Sequence, residues 1–202
     1  MKLLELETPH GTARAHLDSD RDARGLLVLG HGAGGGVSAR DLVAVARVAR
    51  SEALAVALVE QPYKVAGRRS PAPAGHLDAA WETVVASLSA GDLRGLPLIA
   101  GGRSSGARVA CRTAAATGAA GVLCLAFPVH PPGRPAKSRL DELDAVGVPV
   151  LVVQGASDPF GMPAAGAGRE VVVVPGGHSL AGDLVAVADA VRSWLGVVLP
   201  GR

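Results

Sequence analysis

Six short, nearly uninterrupted apolar runs punctuate the chain: 25–29 (GLLVL), 54–59 (LAVALV), 96–100 (LPLIA), 121–126 (GVLCLA), 148–153 (VPVLVV) and 171–174 (VVVV). A strand with one solvated face alternates apolar and polar residues, whereas a run apolar at every position has both faces covered, as in a parallel sheet wrapped by helices. Between the runs lie segments with apolar residues three and four apart, at 41–53, 76–88, 105–117 and 180–195, the first preceded by Ser38 as a possible N-cap. The crossover 127–147 is proline-rich and helical in pattern only near 140–146, and 158–169 reads as loop. The first residues differ, because 3–8 and 12–17 alternate around Pro9-His10-Gly11 and so predict an antiparallel hairpin at a sheet edge. The whole pattern predicts an α/β fold: a mainly parallel sheet, an N-terminal antiparallel hairpin and helices on both faces. No repeat or linker divides the chain, and 202 residues, 49% of them hydrophobic, suit a single domain over 1–202. The closing LPGR reads as a frayed end.

Charge and composition exclude some functions. A net charge of +2, with only two Trp, one Tyr and two Phe, argues against a nucleic-acid partner. No apolar run approaches the roughly 20 residues of a membrane span, so no membrane partner is expected. Glu5 and Glu7 interrupt the opening MKLLELETPHG, which reads as a strand rather than a signal peptide and predicts a cytoplasmic protein. Cys111 and Cys124 lack metal-ligand spacing and are expected as buried small hydrophobes. Neither a metal nor a cofactor is expected.

In a parallel sheet, ligands bind beyond the carboxyl ends of the strands, so the residues following each apolar run bear the chemistry. After the first run stands GHGAGGG at 30–36, which lacks the Lys-Ser/Thr of a phosphate-binding loop; it is either a tight turn or a loop that brings backbone N–H groups close to a ligand. After the third run, Gly102-Arg103-Ser104-Ser105-Gly106 matches G-x-S-x-G with Ser104 at its centre. That spacing is steric: a nucleophile on a tight strand-to-helix turn leaves no room for Cβ atoms two residues to either side. Ser105 fails the test, because its flanks are Arg103 and Ala107. The alternative for Ser104 is a helix N-cap.

A serine hydroxyl needs a base to accept its proton and a third group to orient that base. Asp158 follows the fifth run and is a candidate acid, or else part of an Asp-Pro turn, with Asp141, Glu142 and Asp144 as competitors in a helical stretch. His178 sits on the glycine-rich loop after the last run and is a candidate base, or else a helix cap. His130 in PVHPPGRP also follows a run and is its rival, whereas His31 reads as structural within its loop.

HGAGG, GGRSSG, FPVHPPGRP, QGASDPFG and GGHSL, in this order, resemble α/β hydrolases over nearly the whole chain. More narrowly they resemble the small family that includes a testis-expressed α/β-hydrolase-like protein and a subunit of a histone-acetyltransferase complex, with bacterial members described as dienelactone-hydrolase-like. The resemblance implies a triad of Ser104, Asp158 and His178, with an oxyanion hole from the backbone N–H groups of Ser105 and of Ala33 or Gly34. Larger relatives insert a cap after the fourth run, where this chain has only about a dozen loop residues, so an open, capless site is expected. The expected reaction is acyl transfer to water from a small-molecule ester, thioester or lactone. Tyr63, Phe127 and Phe160 each follow a strand and are expected to line the pocket, with Arg103 and His130 beside them. Lys64, Arg68, Arg69, Arg134 and Lys137 share these loops, which suggests an anionic substrate or, alternatively, a rim of solvated cations. Perhydrolase chemistry would use the same triad. The rival class is a non-catalytic module of the same fold used for protein contacts; a complete Ser, acid, His and glycine loop favours the enzyme.

Overall fold

The hairpin pairs β1 (Lys2–Thr8) with β2 (Gly11–Asp18), its turn closed by Gly11 at φ +107°. The six apolar runs become β3 (Gly25–Gly30), β4 (Leu54–Glu60), β5 (Leu98–Arg103), β6 (Gly121–Leu125), β7 (Val150–Gly155) and β8 (Arg169–Val174). These six lie parallel to one another, and β2 joins them antiparallel along β4, giving one sheet in the order β1-β2-β4-β3-β5-β6-β7-β8. The computed structural model describes residues 1–199, so all of the closing LPGR except Leu199 lies outside the described residues.

Among the described residues, six α-helices accompany the strands: α1 (Arg40–Ser51), α2 (Pro62–Val65), α3 (Ala74–Leu88), α4 (Ser105–Thr117), α5 (Leu140–Asp144) and, after the last strand, α6 (Leu184–Val198). The pleat divides the core in two. Leu26, Val28, Val122 and Val152 face Trp81 and Val84 of α3 and Ala107 and Ala110 of α4. Leu27, Leu29, Leu123 and Leu151 face Leu42 and Val45 of α1 and Val191 and Trp194 of α6. Covering both faces is what makes the central strands apolar at every position. No helix of the described residues is long and apolar enough to cross a membrane.

Two helix starts differ from expectation. Ser38 does not cap α1, whose N-cap position is Ala39 and carries no side-chain bond. The terminal helix begins at 184 rather than 180, because Asp183 caps it by accepting from the Ala186 N–H at 2.9 Å. The residues ahead of it stay in the loop: Leu180 holds φ +52°, and Gly182 lies so close to the Pro175 carbonyl that a Cβ there would stand 2.5 Å from the oxygen.

Candidate active site

Ser104 occupies the step from β5 into α4 with φ +53° and ψ −108°, a backbone conformation that costs a non-glycine residue about 1–3 kcal/mol. Its flanking glycines show what holds it there. A Cβ on Gly102 would stand 2.6 Å from the Gly30 carbonyl oxygen, and one on Gly106 closer still to the same atom. Both glycines of the motif thus close on the end of β3, which clamps the turn between them. The Ser104 N–H donates to the Leu125 carbonyl at 2.9 Å, fixing the turn to β6 as well. Ser104 makes no side-chain capping bond to α4, so the N-cap alternative fails.

The His178 ring lies between Ser104 and Asp158. Its Nε2 is 2.9 Å from Ser104 Oγ and its Nδ1 is 2.9 Å from Asp158 Oδ2. The loops that bear the two residues are joined by backbone: the Ser157 N–H donates to the Gly176 carbonyl at 2.9 Å, and Gly155 abuts the Gly176 and Gly177 carbonyls too closely for any side chain. The Asp158 side chain is wholly buried and fully engaged. Its Oδ1 accepts from the Phe160 N–H at 2.9 Å, and its Oδ2 accepts from Gln154 Nε2 at 3.0 Å as well as from His178. Gln154 also donates to the carbonyls of Phe127 at 3.0 Å and Gly161 at 2.8 Å. The Asp158 oxygen facing the ring accepts from Nδ1, which places the imidazole proton there and leaves Nε2 free to accept from the serine. The Phe160 ring meets the imidazole edge-on, centroids 4.4 Å apart.

Of the competitors, Asp141 is exposed on α5, and the others are occupied elsewhere. His130 bonds through Nδ1 to the Pro131 carbonyl at 3.0 Å and packs against the turn at Gly161. Glu142 pairs with Arg108 and Arg112, and Asp144 with Arg169. Ser104, His178 and Asp158 form the Ser-His-Asp catalytic triad of a serine hydrolase. The sequence matches the family described as an alpha/beta hydrolase domain over residues 23–175.

The chain is an α/β hydrolase.

Solved structures share the fold. The hydrolase superposes on a lidless α/β serine hydrolase from Xanthomonas campestris with a TM-score of 0.80, at 21% identity, covering 100% of this chain and 96% of that one. Est1E from Butyrivibrio proteoclasticus with ferulic acid bound gives 0.82 at 16% identity, covering 98% and 100%. Dienelactone hydrolase from Anabaena variabilis gives 0.78 at 19% identity, covering 98% and 97%. No curated protein matches the sequence of the hydrolase.

The glycine-rich loop after β3 is braced from three sides. His31 is buried and donates from Nδ1 to the Gly32 carbonyl at 2.8 Å while its Nε2 accepts from the Gln61 N–H at 3.2 Å, so the ring is neutral; burial lowers its pKa from the ordinary 6.5. Tyr63 of α2 donates its hydroxyl to the Ala33 carbonyl at 3.2 Å. Arg103 reaches under the loop with Nε 2.8 Å from Asp41 Oδ2 and Nη2 donating to the His178 carbonyl at 3.0 Å. Asp41 is 1% exposed, and burial pushes its carboxyl above the usual range while Arg103 pulls it back. Arg103 therefore links α1, the nucleophile turn and the histidine loop.

Ser104 opens into a cleft of about 500 Å³, lined by Ala33 and Gly34, by Arg103, Arg108 and Arg139, and by Phe160 among others. No cap covers it: β6 is followed only by loop until α5 begins at Leu140. The aromatic residues divide. Phe160 lines the cleft, whereas Phe127 is fully buried in the core and offers only its carbonyl to Gln154. Tyr63 is buried behind the loop and faces a second cavity of about 500 Å³ beside the hairpin turn, where Arg68 also stands. Both rings follow strands, but their size draws them into the space between sheet and helix. Sequence reasoning missed Gln154, Asp41, Arg108 and Arg139. Gln154 had one signal, a polar residue in an otherwise apolar strand (VLVVQG); the others depend on which helices meet.

Proposed function

We propose that the hydrolase cleaves a small carboxylic ester, thioester or lactone through an acyl-enzyme. His178 Nε2 takes the Ser104 proton as Oγ attacks the carbonyl carbon, then returns it to the leaving group as the tetrahedral intermediate collapses. Water entering the open cleft repeats the sequence on the acyl-serine, with His178 again as base. The oxyanion of each intermediate would take hydrogen bonds from the backbone N–H of Ser105, at the positive end of α4, and from the Ala33 or Gly34 N–H. In support, the Ala33 and Gly34 N–H groups have no protein acceptor among the described residues, and both residues line the cleft. Phe160 would contact the substrate as an apolar wall, while Arg103 acts as a positioning residue for the loops on either side of Ser104.

The observation that carries this reading is the unbroken Asp158–His178–Ser104 chain, with 2.9 Å at each link and an exposed cleft at its end. The complete triad weighs against the non-catalytic module. The order of the five motifs supports placing the chain beside the testis-expressed and acetyltransferase-complex relatives.

Stopped-flow hydrolysis of 4-nitrophenyl acetate tests the reaction. A burst of nitrophenol stoichiometric with enzyme, absent in Ser104→Ala, is the expected result. Steady turnover that survives in Ser104→Ala overturns the acyl-enzyme.

A further inference from the structure

The cleft beside Ser104 carries charge of one sign. Among the described residues, three arginines line it and no carboxylate does. Arg103 is committed to Asp41 and the His178 carbonyl. Arg108 donates to both oxygens of Glu142, which also takes Arg112, and Arg112 is in turn held by Asp78. Arg139 stands apart. It immediately precedes α5, and its backbone N–H is tied to the Val129 carbonyl at 2.8 Å, which fixes the residue on the cleft wall. Yet among the described residues no carboxylate lies within ion-pair distance of its guanidinium, and no protein acceptor takes a hydrogen bond from it. Glu142 attracts it from farther away but already serves two other arginines.

Across this group, Arg108, Arg112 and Arg139 face Glu142 and Asp78, which leaves one positive charge uncompensated at the cleft. Burial, then Arg108, holds the Arg139 pKa below its ordinary value, and Arg112 adds to this against the pull of Glu142; the site is a crowd of cations short of one anion. A planar guanidinium with its donors unused matches the two oxygens of a carboxylate. A single surplus charge also suits a monoanion better than a doubly charged phosphate. Phe160, Pro128 and Pro132 supply apolar walls beside it for the body of the same molecule.

We propose that Arg139 binds a carboxylate of the substrate, so that Ser104 acts on small esters, thioesters or lactones that carry a free carboxylate. The proposal rests on the hydrolase reading above and names its substrate class. Arg139 acts in binding and takes no part in proton transfer.

Two matched substrate pairs test it: mono-4-nitrophenyl glutarate against its methyl ester, with the charge on the acyl side, and 4-acetoxybenzoate against its methyl ester, with the charge on the alcohol side. The wild type is expected to prefer the anion in at least one pair by about tenfold or more in kcat/KM, mainly through KM. Arg139→Gln removes that preference, and Arg139→Lys restores part of it. Arg134→Gln, an exposed cation of the same loop outside the cleft lining, leaves the preference ratio in place. A wild type indifferent to charge in both pairs, or a preference that persists in Arg139→Gln, overturns the carboxylate site while leaving the hydrolase intact. Absence of turnover on all four esters, together with no fluorophosphonate adduct on Ser104, overturns the hydrolase reading itself and the carboxylate site with it.

Discussion

The two sides of the cleft are built differently. On the side of the triad, every group is held by backbone: Ser104 between two glycines that close on Gly30, and Asp158 and His178 on loops joined through Gly155 and Gly176. Across from it, the loop between β6 and α5 is rich in proline, exposed from Pro132 to Ser138, and presents Arg139, whose guanidinium has no protein partner among the described residues. Reacting groups that must meet within tenths of an ångström are set by close-packed main chain, which few side chains would tolerate. Substrate selection is left to single side chains on a wall that substitution can change without disturbing the chemistry.

Asp158→Asn gives the largest contrast between the sides. The amide keeps the shape but presents a donor to His178 Nδ1 and selects the wrong tautomer, so kcat falls by about 10⁴; the same donor meets the Gln154 amide, which lowers stability by about 1–3 kcal/mol; steady-state kinetics and a melting curve together check this. Gly106→Ala drives a methyl group into the Gly30 carbonyl. Strain of about 2 kcal/mol or more is expected, seen as a Tm lowered by several degrees and as lost activity in whatever protein remains folded. A variant as stable and active as wild type would show that the turn is not clamped as described.

His31 gives a smaller, pH-dependent effect on the triad side. Burial lowers its pKa in the folded state, so below pH 6.5 the unfolded chain takes up a proton that the folded one does not. Its contribution to stability is therefore present above pH 6.5 and is lost as pH falls, with a slope bounded by the one-proton limit of about 1.4 kcal/mol per pH unit. Denaturant titrations between about pH 5 and 7.5 should show this slope in the wild type and its loss in His31→Gln, which lacks the titrating ring. The smallest effect belongs to the opposite wall: Pro132→Ala should shift stability by less than about 0.5 kcal/mol. A large destabilisation there would erase the distinction between the two sides.

The triad side was also the legible one. Gly102 and Gly106 mark a close approach in the sequence itself, and Asp158 and His178 follow apolar strands, so local pattern and sheet topology sufficed to pick them out. Phe127 and Tyr63 follow strands just as closely, but whether a ring turns toward the cleft or the core depends on the volume left beneath the helices. Arg103 was expected beside the pocket, but its bracing role was hidden; its partner Asp41 lies 62 positions earlier and meets it only once α1 packs beside the nucleophile turn. Arg139 was illegible for a related reason: its surplus charge is defined by how Arg108, Arg112, Glu142 and Asp78 share partners across α3, α4 and α5. Spacing along the chain does not encode that sharing.

Backbone packing singles out Ser104, and not its neighbour Ser105, as the nucleophile. Labelling the folded protein with a fluorophosphonate and locating the adduct by peptide mass spectrometry tests it directly. One adduct is expected, on Ser104, absent from Ser104→Ala and nearly absent from a His178→Ala variant of unchanged fold. An unlabelled wild type, or an adduct on Ser105 that persists in Ser104→Ala, would contradict it.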